Sequence, residues 1–157
     1  MKISNKVRTC FWFDNQGEEA ANFYVSLLPD SYIETKSYPN DDGVALVVEF
    51  TLAGAPFMTL KGGPNFTHSH AASISVLTED QDETDKLHAS IVENGGEESQ
   101  CGWAIDRYGV SWQIIPAVLP EMMMSDDKQA ANRAREAMFK MKKINIKALE
   151  SAFAGSD

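Results

Sequence analysis

Apolar residues run almost unbroken from Val7 to Phe13, interrupted only by Arg8 and Thr9, which is the pattern of a strand covered on both faces. Asp14-Asn15-Gln16-Gly17 breaks the run. Glu18 and Glu19 suit the positive end of a following helix, and Ala20, Phe23, Tyr24, Leu27 and Leu28 recur at three- and four-residue steps until Pro29. A short strand is expected around Tyr32 to Tyr38. After the turn signal Asn40-Asp41-Asp42-Gly43, strands Val44 to Leu52 and Ala55 to Leu60 form a hairpin about Ala53-Gly54. Lys61-Gly62-Gly63-Pro64 closes a first half with the order βαβββ.

The second half repeats that order from Ala71. Ser73 to Leu77 reads as a strand, Glu79 to Glu83 as an acidic turn, and the segment through Leu87 and Ile91 as a helix stopped at Gly95-Gly96. Two strands then flank Asp106-Arg107-Tyr108-Gly109. Adding 64 takes Thr9 to Ser73, Phe23 to Leu87 and Leu27 to Ile91; an offset of 55 takes Gly54 to Gly109, Phe57 to Trp112 and Met58 to Gln113. The pattern therefore predicts a duplicated α+β domain, with module one at about residues 5–64 and module two at about 70–118. C-terminal helices occupy about residues 125–154: Ser125 or Asp126 caps one running toward Lys143, and Asn145 caps a last one carrying Ala148, Leu149, Ala152 and Phe153.

With 157 residues, the chain suits one domain, and its 43% hydrophobic content suffices for a core. A net charge of -9 repels phosphate backbones and anionic membrane surfaces, so neither nucleic acid nor membrane is an expected partner. The basic stretch Arg133 to Lys147 also contains Glu136 and apolar residues at helical spacing, the pattern of a solvated helix face. The N-terminus carries no apolar run long enough for a signal peptide or membrane span, so a cytoplasmic location and reduced Cys10 and Cys101 are expected.

Four segments in order, Glu19-Ala20-Ala21-Asn22-Phe23-Tyr24, Lys61-Gly62-Gly63-Pro64-Asn65-Phe66, Cys101-Gly102-Trp103-Ala104-Ile105-Asp106-Arg107-Tyr108-Gly109 and Val110-Ser111-Trp112-Gln113-Ile114-Ile115-Pro116, resemble one known family. It is the PhnB-like branch of the glyoxalase/bleomycin resistance/extradiol dioxygenase superfamily, also called the vicinal oxygen chelate superfamily. The Met141 to Ile146 stretch also looks like that branch's C-terminal helix. The resemblance implies paired βαβββ modules, an incomplete eight-stranded barrel and a homodimer. It does not supply a reaction, since superfamily members isomerise, open rings, open epoxides or sequester drugs. Branch members often carry the label 3-demethylubiquinone-9 3-methyltransferase, yet neither Gly62-Gly63 nor Gly95-Gly96 forms the G-x-G-x-x-G of a dinucleotide-type fold.

Metal-using members place ligands at four equivalent strand positions, and the resemblance carries these onto Thr9, Met58, Ser73 and Gln113. Two hydroxyls, a thioether and an amide are poor donors for zinc, iron or manganese, so no divalent metal or other cofactor is expected there. His68 and His70, two residues apart, are the rival ligands; with an unforeseen carboxylate they imply a lyase, isomerase or dioxygenase. Strand alternation puts Thr9, Phe11 and Phe13 on one face, as it does Ser73, Ser75 and Leu77, and Ser111, Gln113 and Ile115. The expected ligand-binding pocket is thus Thr9, Phe11, Met58, Ser73, Ser75, Trp103, Ser111 and Gln113, an apolar cleft between the modules with hydroxyls and one amide, suited to a small metabolite or xenobiotic. Met122-Met123-Met124 is a rival docking face for a partner protein.

Overall fold

A computed structural model describes residues 4–156. The chain divides between Thr67 and His68 into two compact units. The first contains β1 (Thr9–Phe13), α1 (Gly17–Leu27), β2 (Tyr32–Ser37), β3 (Val47–Leu52) and β4 (Ala55–Lys61), in sheet order β1-β4-β3-β2. The β1–β4 pair is parallel and the others antiparallel. The crossover is α1, whose buried Gly17, Ala20, Ala21 and Tyr24 cover one face of the sheet. Small residues let the helix approach closely. A Cβ added to Gly17 would lie 2.8 Å from Thr59 Oγ1, and Tyr24 packs edge-on against Phe11 at 6.4 Å between centroids. Phe50, stacked on Phe57 at 5.5 Å, completes this aromatic core. The β3–β4 hairpin turns through Ala53 and Gly54 at φ 46° and 81°. Positive φ at both central residues matches the twist of the strands that flank a two-residue turn.

The second unit repeats the order with β5 (Ser73–Thr78), α2 (Gln81–Val92), β6 (Glu97–Glu98), β7 (Trp103–Ile105) and β8 (Ser111–Pro116), arranged β5-β8-β7-β6. Here β5 and β8 are the parallel pair. Helix α2 begins where Asp80 accepts from the Glu83 amide, and it is tied to β5 by a 2.6 Å Thr78–Thr84 hydroxyl pair. The two βαβββ units of the duplicated reading are both present, each with its own four-stranded sheet. The sequence left β6 unplaced, because two glutamates carry no apolar period; pairing with Ala104 and Ile105 makes them a strand.

Three helices follow: α3 (Val118–Met123), α4 (Lys128–Met138) and α5 (Ile146–Ala154). Asn145 caps α5 as expected, but the cap of α4 is Asp127, which accepts from the Gln129 and Ala130 amides, and not Ser125 or Asp126. Helix α4 stops at Met138 instead of reaching Lys143, because the residues after it turn away to bond elsewhere. The unexpected α3 buries Leu119 and Met122 in a cluster with Ala134, Ile144 and Leu149, against which Ile115, Met123, Met141 and Phe153 pack. Of the methionine run proposed as a docking face, only Met124 is exposed.

Candidate functional site

Each sheet has one face under its helix and one face turned away from it, and strand register decides which side chains occupy the second. In the first sheet, Thr9 pairs with Phe57 and Phe11 with Thr59, so Thr9 and Phe11 belong to the α1 side. Phe11 is buried there against Tyr24 and Phe57. Met58 pairs with Cys10 and points the other way. Thr9 and Phe11 therefore do not share a face with Met58. In the second sheet Ser75 pairs with Gln113, so the strand equivalent to Cys10 lies 65 residues on, not 64. One residue of register exchanges the faces of a whole strand. Cys10, exposed and with its thiol pushed up by burial of its surroundings, replaces Thr9 beside Met58.

The open face of the first sheet also carries a half-buried ion pair. Arg8 grips Glu34 through two nitrogens, at 3.0 and 2.5 Å, and donates to the Phe57 carbonyl at 3.2 Å. Thr51 donates to Glu34 at 2.7 Å, and Glu49 lies 3.4 Å from Arg8 Nε. The Arg8 guanidinium holds the Glu34 carboxyl below its usual range, with Thr51 assisting against the opposing effect of burial.

The second sheet brings the remaining predicted residues together. Ser73, Ser75, Ser111, Gln113 and Trp103 all lie on the face away from α2, with Trp103 directly opposite Gln113 on the neighbouring strand. Ile74, Trp112 and Ile114 fill the opposite, buried face. Gln113 Nε2 donates to Ser73 Oγ at 2.8 Å, and His70 Nδ1 lies 2.8 Å from the buried Ser111 Oγ. The His70 ring meets Trp103 edge to face at 5.9 Å. Together with Ser99, Gln100 and Cys101 these two rings wall an apolar pocket of about 290 Å³. His70 enters the site as the partner of Ser111, a contact between residues 41 apart that no local spacing signals.

The donors do not fit a resident metal ion of the superfamily kind. Gln113 is already engaged with Ser73, His70 with Ser111, and among the described residues no three His, Cys, Asp or Glu side chains are grouped to hold an ion. The tight turn before β8 is organised differently. Asp106, buried, accepts from the Tyr108 and Val110 amides at 2.9 and 3.0 Å and from Trp112 Nε1 at 2.9 Å, so this acidic residue is a structural hub. Arg107 stacks over Tyr108 and donates to its hydroxyl at 2.6 Å.

A family model described as 3-demethylubiquinone-9 3-methyltransferase matches residues 5–115, nearly the full span of the two βαβββ units. The chain belongs to that family. A PhnB protein from Bacillus cereus bearing the same methyltransferase description is 32% identical, with a TM-score of 0.66, and the match covers 72% of this chain and 100% of that one. A Pseudomonas aeruginosa protein is 20% identical over 69% of this chain and 95% of its own, with a TM-score of 0.56. The fosfomycin resistance protein FosX from Listeria monocytogenes shares the fold at 13% identity, covering 79% of this chain and 100% of that chain, with a TM-score of 0.57. No curated protein matches. The family model and the Bacillus cereus relative thus agree on a PhnB-like family, and the fosfomycin resistance protein shows a shared fold alone. The family match stops at 115, so α3 to α5 lie beyond it, whereas the sequence reading took the resemblance into the tail. Gly62-Gly63 follows β4 and Gly95-Gly96 follows α2, so neither pair opens a helix after a strand as a dinucleotide-type phosphate loop does. Among the described residues no helix is long and apolar enough to cross a membrane.

Proposed function

We propose that this PhnB-like protein binds a small, partly apolar metabolite or xenobiotic on the open face of its second sheet, without a divalent metal. The observation that carries the reading is Trp103 directly opposite Gln113, on a face that also carries Ser73 and Ser75 and adjoins an apolar pocket walled by His70 and Trp103. Trp103 offers a broad apolar surface, the amide fixes orientation, and Ser73 and Ser75 add hydrogen-bonding capacity. Such a site holds a ligand by shape and one or two directed hydrogen bonds. Its donor chemistry supports binding without metal, since amide and hydroxyl groups compete poorly for zinc, iron or manganese.

Native mass spectrometry of freshly purified protein, with elemental analysis, tests the reading and reports whether the working form is the homodimer that the family resemblance implies. A copurified small molecule displaced from Gln113→Leu and Trp103→Ala variants is expected. A stoichiometric divalent ion lost on replacing Gln113, or on replacing His68 and His70, would overturn it in favour of a metal-dependent lyase, isomerase or dioxygenase. Saturable S-adenosylmethionine binding would overturn it in favour of the methyltransferase description.

A further inference from the structure

The segment after α4 returns to the second βαβββ unit and bonds to the turn that walls the Trp103 pocket. The Cys101 amide donates to the Met141 carbonyl at 2.8 Å, and the Gly102 amide donates to the Lys142 carbonyl at 2.6 Å. Both turn residues have positive φ, 58° at Cys101 and 83° at Gly102. A non-glycine residue in that region needs outside support, and here the support comes from the tail. The fit is close on the side-chain level too. A Cβ at Gly102 would lie 2.9 Å from Ile144 Cγ1 and 3.2 Å from Ile115 Cδ1, and Ile144 itself is fully buried.

One side chain of the family domain holds this segment. Gln81, at the start of α2, accepts from the Ile146 amide at 2.8 Å and donates to the Ile144 carbonyl at 3.0 Å, gripping the tail on both sides of Asn145. Lys143 adds a 2.8 Å ion pair to Asp85. A groove of about 790 Å³ runs along that seam, lined by Gln81, Asp85, Lys143 and Ile146. It marks where the tail meets α2 and not where the predicted binding residues gather.

We propose that the C-terminal helices act as a clasp that sets the wall of the Trp103 pocket, with Gln81 as the positioning residue that fastens it. The chain of contacts runs from Gln81 to Ile144, from the preceding Met141 and Lys142 carbonyls to the Cys101 and Gly102 amides, and so to a wall of the pocket. The clasp lies outside the segment that the family model matches, so a wall made of matched residues, Ser99 to Trp103, is held in this chain by residues beyond the match. The proposal rests on the Trp103 face being the binding site, and its test separates the two.

Amide hydrogen exchange and iodoacetamide labelling of Cys101, in a Cys10→Ser background, are compared between the parent and Gln81→Met. Methionine keeps the length and removes both bonds to the tail, together with the one that Gln81 Nε2 donates to Asp85 at 2.9 Å. Loss of those bonds speeds exchange at Cys101 and Gly102, and labelling of Cys101, by about tenfold, and reaches Ile114, whose amide donates to the Gly102 carbonyl at 2.8 Å, while Trp112 in β8 keeps its parental protection. Ile144→Ala, which empties the buried seat and leaves Gln81 intact, gives the same local signature if the clasp is real. Parental rates at Cys101 and Gly102 in both variants, or an increase spread equally through β8, would overturn the proposal. The ligand reading fails separately, when the clasp signature is found but native mass spectrometry of the parent shows no bound small molecule.

Discussion

Replacing Asp106 tests whether the Asp106 to Gly109 motif belongs to the fold or to chemistry. Its two carboxylate oxygens serve three buried donors, the Tyr108 and Val110 amides and the Trp112 indole, at 2.9 to 3.0 Å. Asp106→Ala leaves all three without an acceptor in a site that is 3% exposed. Each unsatisfied buried donor costs about 1–3 kcal/mol, and local relaxation lets them share the loss, so a net destabilisation of about 3–5 kcal/mol is expected. Asp106→Asn keeps one acceptor oxygen but turns an NH2 toward an N–H, for a loss of about 1.5–3 kcal/mol. Urea unfolding followed by tryptophan emission measures both, and Trp112→Phe supplies the second edge of a double-mutant cycle. In the Trp112→Phe background the Asp106→Ala loss should shrink, because one of the three donors is already gone. An Asp106→Ala variant within 1 kcal/mol of the parent would refute the argument and return the carboxylate to the list of groups with a chemical task.

Gly17→Ala should cost about 1–3 kcal/mol, since its Cβ would meet Thr59 Oγ1 at 2.8 Å; in a Thr59→Ala background the same change should cost less, as read by denaturant midpoints. Arg8→Met strands the half-buried Glu34 carboxylate, with an expected loss of about 3–5 kcal/mol at neutral pH that narrows in acid as Glu34 takes a proton; equal losses at pH 7 and pH 4 would contradict this. His88 has its Nε2 buried without a hydrogen bond, 3.4 Å from Glu98, and burial pushes its pKa down despite the raising effects of Glu98 and Asp85, with Lys143 adding to the depression. The unfolded chain then binds the extra proton first, so the His88 contribution is intact above about pH 6.5 and is lost as pH falls toward the lowered folded value. A His88→Gln variant should show a flatter stability profile across that window.

The βαβββ order, its repetition and the Asn145 cap were legible because each leaves a local mark: a period of 3.6, a turn signal or a capping side chain. The faces of β1 were not. Cys10, Phe11, Trp12 and Phe13 are all apolar, so the strand shows no alternation, and an alignment of the two halves can slide by one residue without any penalty in hydrophobicity. Only the pairing of Cys10 with Met58 decides it. In β5 the serines at 73 and 75 alternate with Ile74 and Val76, so that strand shows in its sequence which residues share a face. His70 with Ser111, and Gln81 with Ile144 and Ile146, are joined across 41 to 65 residues, a separation over which sequence spacing has no bearing.

The dependence of the Cys101–Gly102 turn on Met141 and Lys142 has a consequence in time. The first unit has all its strands by Lys61, so on a ribosome it can reach its final pairing while the rest of the chain is still being made. The second unit has all of its strands by Pro116, but the carbonyls that fix its turn and the isoleucine seated against it arrive only after α3 and α4 have been made. Until then, the apolar side chain of Ile115 and two positive-φ residues wait without their partners. The later of the two βαβββ units is thus completed by residues made well after its last strand, and a chain that stalls before Ile144 would leave its second sheet formed and its pocket wall unsupported.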